Sequence, residues 1–272
     1  MSWLREWSNA RKEEVNMTDI IAMVAYHTGI PMGKIQTKEQ ERLMKLEDHL
    51  RKRVRGQDHA LRIVAEALRR SRAGLIEPNK PAAAFFFLGP TGTGKTELAK
   101  AIAEFLFNDE SALLRFDMSE FKEEHSVALL YGSPPGYVGY KEGGVLVNKI
   151  RAKPYSVVLF DEIEKAHPSV YDIFLQILDE GQIHDKLDRK GDFTKSIIIF
   201  TSNVGAEWVT DKYEKGEIPT ENELKDLIRS TGKFRPELLG RPLDIIPFGP
   251  ITEEVAPLIL DIHLKHFMDL LQ

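Results

Sequence analysis

Ala84-Phe85-Phe86-Phe87-Leu88-Gly89-Pro90-Thr91-Gly92-Thr93-Gly94-Lys95-Thr96-Glu97-Leu98-Ala99 decides the fold. Five apolar residues run into a glycine loop, and the loop runs into apolar positions at helical spacing that continue through Phe105-Leu106. Strand, Gly-x-x-x-x-Gly-Lys-Thr, helix is the context that makes this pattern a phosphate site. The glycines let consecutive backbone N–H groups turn inward around phosphate oxygens. The helix N-terminus adds unpaired donors and partial positive charge. Lys95 is then the group that reaches the outer phosphates, and the Thr96 hydroxyl the one offered to Mg²⁺. The candidate nucleotide-binding residues here are Gly89, Thr91, Gly92, Thr93, Gly94, Lys95, Thr96 and Glu97.

Downstream, strand-like and helix-like stretches alternate. Leu113–Asp117, Ser156–Phe160, Ser196–Phe200 and Asp244–Phe248 read as strands, and the two central ones are apolar throughout after their leading serines. Continuous apolar strands belong to a parallel sheet covered on both faces. Helices are expected over Glu120–Leu130, Val145–Arg151, Ser169–Asp179, 206–213 and 221–230. Strands alternating with helices predict an α/β fold, a parallel sheet sandwiched by helices. Pro247 argues for an edge position for the last strand.

Upstream, Asp58–Arg72 reads as a helix ended by Gly74, and Pro78-Asn79-Lys80-Pro81 is a break. Leu43, Leu46 and Leu50 recur at helical spacing, and Thr18-Asp19 could cap a further helix. Three parts are therefore expected: residues 1–78 as an N-terminal linker and helices, 79–250 as the large α/β part, and 251–272 as the start of a small helical part. In the last, Val255, Ile259, Ile262, Leu264, Phe267, Met268 and Leu271 need a surface to dock on. Pro257 is compatible with that helix only near its start.

A triphosphatase also needs a carboxylate for Mg²⁺ and a group to orient the attacking water. Asp161-Glu162 ends the apolar strand Val157-Val158-Leu159-Phe160, at the end of the sheet where ligands of open α/β folds bind. Asp161 is expected to reach Mg²⁺ through water or Thr96, and Glu162 to polarise the water. Asn203 ends the next buried strand, where its amide could bond the γ-phosphate or the water. No guanine-reading Asn-Lys-x-Asp follows the core strands, which favours ATP over GTP.

Composition narrows the class. The 272 residues include no cysteine and carry a formal net charge of −5. Disulfides, thiolate metal sites and a cysteine nucleophile are excluded, and nothing in the net charge argues for a nucleic-acid partner. The cluster Arg51-Lys52-Arg53-Val54-Arg55 reads as a solvated helix end. No apolar run reaches the ~18 residues of a membrane span, and the N-terminus lacks a signal-peptide core. A cytoplasmic protein is the expectation, with no membrane partner.

An ordered set of motifs carries a family resemblance: the phosphate loop, Phe116-Asp117-Met118-Ser119-Glu120, Gly136-Tyr137-Val138-Gly139-Tyr140, Asp161-Glu162-Ile163-Glu164-Lys165-Ala166-His167-Pro168 and Thr201-Ser202-Asn203. It resembles the second ATPase domain of Clp-type AAA+ unfoldases, in particular the ClpB disaggregase group, from about Thr28 to Phe248. The resemblance implies a homohexameric ring that hydrolyses ATP and threads unfolded or aggregated polypeptide through its pore. It makes Tyr137 and Val138 the substrate-gripping pore loop, places Val54 and Arg55 beside the adenine, and makes Arg241 the arginine finger, with Arg235 as the alternative. The family's Asn-Arg-Ile-Asp stands here as Gly240-Arg241-Pro242-Leu243-Asp244. It also implies that the chain is a fragment, because the rest of the small helical domain, with its Gly-Ala-Arg motif, does not follow.

Two other classes were weighed. A DNA-linked AAA+ motor or loader calls for a basic stripe, which the acidic balance and the Gly-Tyr-Val-Gly loop disfavour. A nucleotide-binding assembly module without turnover sits poorly with intact Lys95, Asp161 and Glu162. A peptidase partner is not expected, since 204–233 contains no Ile/Leu-Gly-Phe/Leu loop.

Overall fold

The computed structural model describes residues 19, 23, 39–75, 77–132 and 143–270. It divides into two units, Met1–Lys45 and Leu46–Gln272. In the first, the described backbone includes a short helix, Glu39–Met44. The second carries the sheet.

That unit opens with helices α1 (Leu46–Arg53) and α2 (Asp58–Arg72), then β1 (Ala83–Leu88), α3 (Lys95–Phe107), β2 (Leu113–Asp117), α4 (Glu124–Tyr131) and α5 (Val145–Ala152). It continues through β3 (Val157–Asp161), α6 (Val170–Glu180), β4 (Gln182–His184), β5 (Lys190–Asp192), β6 (Ile197–Ser202), α7 (Ala206–Glu214), α8 (Glu221–Thr231), β7 (Asp244–Pro247) and α9 (Ala256–Leu270). Five strands form one sheet in the order β2-β3-β6-β1-β7, and every pairing in it is parallel.

β1 lies between β6 and β7, so both its hydrogen-bonding edges are paired. Phe85, Phe86, Phe87 and Leu88 are fully buried. An aromatic layer ties strands to helices: Phe160 stacks on Phe200 at 5.5 Å and meets Phe174 of α6 at 4.8 Å. On β1, Phe86 meets Phe234 and Phe87 meets Phe248. Burying each such ring stabilises by roughly 2–3 kcal/mol, which explains why an uninterrupted apolar run takes the central position. Register places Leu88 beside Ser202 and Pro247, and Asp117 beside Asp161. The strand ends that carry chemistry are therefore level.

Two features depart from the sequence reading. The helix expected over Glu120–Leu130 is divided into a 3₁₀ turn, Met118–Phe121, and α4. The Asp117 carboxylate accepts from the Ser119 N–H at 2.9 Å and caps that turn, closing it before the α-helix starts. The antiparallel hairpin β4–β5 was not anticipated. Its turn wraps the buried Asp185, which accepts from the Leu187 and Arg189 N–H groups at 2.9 Å and from Arg189 Nη2 at 2.6 Å. Burial pushes the Asp185 carboxyl up, but these donors outweigh it and hold it below the ordinary aspartate value. As the sequence leads one to expect, α9 has Pro257 in its first turn, where a missing N–H costs nothing. It leaves Leu258, Leu260, Leu264, Phe267 and Met268 exposed. Among the described residues no helix is long and apolar enough to cross a membrane.

Candidate functional site

The loop between β1 and α3 is shaped by close approach. A Cβ on Gly89, whose φ is +155°, would sit 2.2 Å from the Phe248 carbonyl oxygen. The Gly89 N–H meanwhile donates to Ser202 O at 3.2 Å. Gly92 and Gly94 hold φ of 81° and 98°, and Gly94 is the left-handed cap from which α3 starts. Thr93 closes the loop by donating to Pro90 O at 2.9 Å. Thr91 and Gly92 face solvent, Thr93 is buried, and Thr96 and Glu97 lie in the first turn of α3.

Lys95 is 8% exposed. Its ammonium donates to Gly89 O at 2.6 Å, Pro90 O at 2.7 Å and Asn203 Oδ1 at 2.9 Å. Burial pushes it down from 10.5 to about 8, against the pull of Asp161, Glu164 and Glu162. A cation that costly to bury seeks more negative charge than it has.

The ends of β3 and β6 supply the acidic side. Asp161 is buried, and its Oδ1 accepts the Thr201 hydroxyl at 2.5 Å. Its Oδ2 accepts Arg115 Nε at 3.0 Å and lies 2.7 Å from Arg115 Nη2. Glu162 turns the chain out of β3 with φ 56° and ψ 53°, a left-handed conformation that costs a non-glycine residue ~1 kcal/mol or more. The Glu162 N–H donating to Thr201 Oγ1 at 3.0 Å holds it there. Asn203 joins the two halves: its Oδ1 accepts from Lys95, and its Nδ2 donates to Glu162 Oε1 at 3.0 Å. Lys165 Nζ lies 2.5 Å from Glu162 Oε2. Glu164 Oε1 accepts the Asn203 N–H at 3.2 Å, whereas its Oε2 is buried without a partner.

Glycine loop, buried lysine, Asp161, Glu162 and Asn203 thus converge as the spacing requires. Val54 is buried at the start of α3, its Cγ1 3.4 Å from where a Gly94 Cβ would be. The neighbouring Arg55 Nε is buried with no hydrogen-bond partner. Glu97 pairs with Arg53 at 2.5 Å. Arg241 and Arg235 stand apart from this cluster, both on acids of α6. Arg241 Nε is 2.6 Å from Asp179 Oδ1, an ion pair in which the N–H is not aligned for a hydrogen bond. Arg235 pairs with Asp172. Tyr137 and Val138 lie outside the described residues.

Sequence reasoning gave no role to Arg115, Thr201 or the second oxygen of Glu164. Arg115 and Thr201 reach Asp161 only through strand pairing, and Glu164 Oε2 is left without a partner only by how its turn packs, so no local spacing signals any of the three. A hollow of about 280 Å³ lined by His59, Ile63, Ile218 and Asp244 flanks β7 and contains none of these groups.

The residues fit a magnesium–nucleotide. Among the described residues no cluster of three or more acidic or histidine side chains could cage a metal. Mg²⁺ is usually held by one or two carboxylates together with phosphate oxygens, and Thr96 with Asp161 is a donor set of that kind. Arg55 Nε lacks an acceptor, which a phosphate or a purine provides, and the Lys95 ammonium, bonded to two backbone carbonyls and Asn203, can exchange those neutral acceptors for phosphate oxygens.

A glycine loop opening a helix at the end of a central parallel strand, with a buried lysine and carboxylates from the adjoining strand ends, defines a P-loop nucleoside-triphosphate-binding domain. More narrowly, residues 80–246 match the AAA domain (Cdc48 subfamily), and the chain belongs to that family. It is 51% identical over 259 residues to the chaperone protein ClpB2, chloroplastic, of Oryza sativa subsp. japonica, covering 93% of this chain and 26% of that protein. It is 50% identical over 260 residues to the chaperone protein ClpB of Aquifex aeolicus, covering 91% of this chain and 25% of that one. A closed-state cryo-EM reconstruction of Hsp104 with ATPγS and FITC casein superposes with a TM-score of 0.81 at 43% identity. That match covers 93% of this chain and 43% of the Hsp104 chain. The chain therefore spans about a quarter of the length of these ClpB relatives.

Proposed function

We propose that this chain binds ATP with Mg²⁺ and hydrolyses it, as the motor portion of a homohexameric, cytoplasmic protein disaggregase. The observation that carries the ATPase reading is the continuous link Lys95–Asn203–Glu162. One amide ties the phosphate-reaching cation to the carboxylate placed to accept a proton from water. Backbone N–H groups of Gly92 to Thr96 and the N-terminus of α3 bind the phosphates. Val54 and Arg55 flank the adenine, and Glu97 keeps α3 anchored through Arg53. Mg²⁺, when bound, neutralises charge on the phosphate oxygens. Thr96 and Asp161 hold it, Glu162 orients the attacking water, and Asn203 keeps Glu162 in register with Lys95.

The similarity to ClpB and Hsp104 supports the wider reading. Polypeptide is the substrate, gripped by Tyr137 and Val138, and Arg241 exchanges Asp179 for the phosphate of a neighbouring subunit. Residues 1–78, 79–250 and 251–272 serve as linker and leading helices, ATPase body and the beginning of a helical lid. Glu162→Gln should keep ATP binding while losing phosphate release, measured in the hexamer-forming protein. Turnover at the wild-type rate would refute the role of Glu162.

A further inference from the structure

We propose that Arg115 is a positioning residue for Asp161, and that through this carboxylate it sets how tightly a divalent cation is held beside the nucleotide. The inference rests on the ATP–Mg²⁺ reading above and deepens it. Arg115 stands in β2, an edge strand, 46 residues from Asp161 in sequence. In the β2–β3 register Arg115 pairs with Leu159 and Asp117 with Asp161. Side chains alternate along a strand, so Arg115 and Asp161 share a face and meet diagonally.

The contact is directional. Nε and Nη2 of Arg115 converge on Oδ2 at 3.0 and 2.7 Å, while the Thr201 hydroxyl takes Oδ1 at 2.5 Å. With donors on both oxygens the carboxylate plane is locked. Each carboxylate oxygen has two lone-pair directions, so acceptor capacity remains for a cation or its water.

The burial of the two partners differs sharply. The Arg115 side chain is 53% exposed and that of Asp161 is 10% exposed. The half-exposed guanidinium thus reaches a buried carboxylate from the edge of the sheet. Asp117, the other carboxylate on that face, is capped by its own turn at Ser119. The guanidinium makes its hydrogen bonds to Asp161 and acts on Asp117 only through its charge. Groups that orient a metal-facing carboxylate in this way typically matter by 10–100-fold in metal affinity.

The test uses Mn²⁺ as a paramagnetic probe, titrated by electron paramagnetic resonance into the chain with saturating ADP, for wild type, Arg115→Ala and Arg115→Lys. ADP affinity is measured separately in EDTA. Arg115→Ala should weaken Mn²⁺ at least roughly tenfold while ADP affinity in EDTA stays within about twofold. Arg115→Lys, which keeps the charge but not the fork, should lie between. Unchanged Mn²⁺ affinity in Arg115→Ala overturns the proposal, and so does an equal loss of metal-free ADP affinity, which would mark a general loosening. Should Arg115→Ala fail to fold, Arg115→Lys decides: weakened Mn²⁺ at a wild-type melting temperature supports the proposal, and no weakening overturns it. A wild-type chain that binds no ADP at all would instead overturn the nucleotide reading, so the two failures are distinct.

Discussion

Replacing Lys95 with methionine should move stability and nucleotide binding in different ways. The ammonium is 8% exposed, and burial pushes it from 10.5 to about 8. The folded chain therefore releases this proton at lower pH than the unfolded chain does. Between pH 8 and 10.5 the unfolded state binds more protons, so stability rises with pH across that window. Below pH 8 the cost of the buried charge is fully present, and above 10.5 it is gone. A downward shift of this size corresponds to ~3 kcal/mol, of which roughly 2 kcal/mol should be recovered between pH 7 and 9.5. Lys95→Met has no such proton to lose. Urea unfolding of both proteins without added nucleotide at pH 7 and 9.5 reads the difference directly. The wild type should gain roughly 2 kcal/mol relative to the variant as pH rises. At pH 7, Lys95→Met should be little less stable, since the charge penalty offsets the lost bonds to Gly89 O, Pro90 O and Asn203 Oδ1. Parallel pH profiles, or a gain by the variant, would refute the claim that Lys95 is a buried, destabilised cation awaiting phosphate.

Other perturbations reach different parts of the account. Gly89→Ala places a methyl 2.2 Å from Phe248 O, and the Phe248 N–H is already bonded to Leu88 O at 2.8 Å. The loss should be roughly 3 kcal/mol or more, seen as a lower urea midpoint. Asn203→Ala cuts the link between Lys95 and Glu162; kcat for ATP should fall by roughly 10²-fold, while ADP affinity in a fluorescence titration changes by less than about threefold. In a full-length protein carrying this chain, Tyr137→Ala should spare ATPase activity and stop threading of an unfolded substrate, followed by loss of substrate fluorescence.

What could be read in advance followed from local causes. Gly89–Thr96 announces itself because the phosphate geometry is written in consecutive residues. Asp58–Arg72 agrees with the observed α2 end to end, because Leu61, Val64 and Leu68 recur at helical spacing. The sheet was legible because wholly apolar runs such as Ile197-Ile198-Ile199-Phe200 have only one stable home, covered on both faces.

The unread parts depend on distant partners. The break before α4 comes from Asp117 bonding two residues ahead, which competes with helix formation. The β4–β5 hairpin is built around the buried Asp185, whose donors from Leu187 and Arg189 leave no periodic apolar signal. Arg115 has no signal of its own within Leu113–Asp117, and only the pairing of β2 with β3 brings it to Asp161. Thr201, at the end of a neighbouring strand, needed the same pairing information. Arg241 carries a different lesson, since the structure seats it on Asp179.

The central claim is that the Gly89–Thr96 loop, through Lys95, holds ATP. Calorimetric titration of ATP with Mg²⁺ into the Glu162→Gln chain, with Lys95→Met as the comparison, tests it most directly. Saturable one-site binding by Glu162→Gln and none by Lys95→Met is the predicted result. Absence of binding in Glu162→Gln, or equal binding by both, would contradict it.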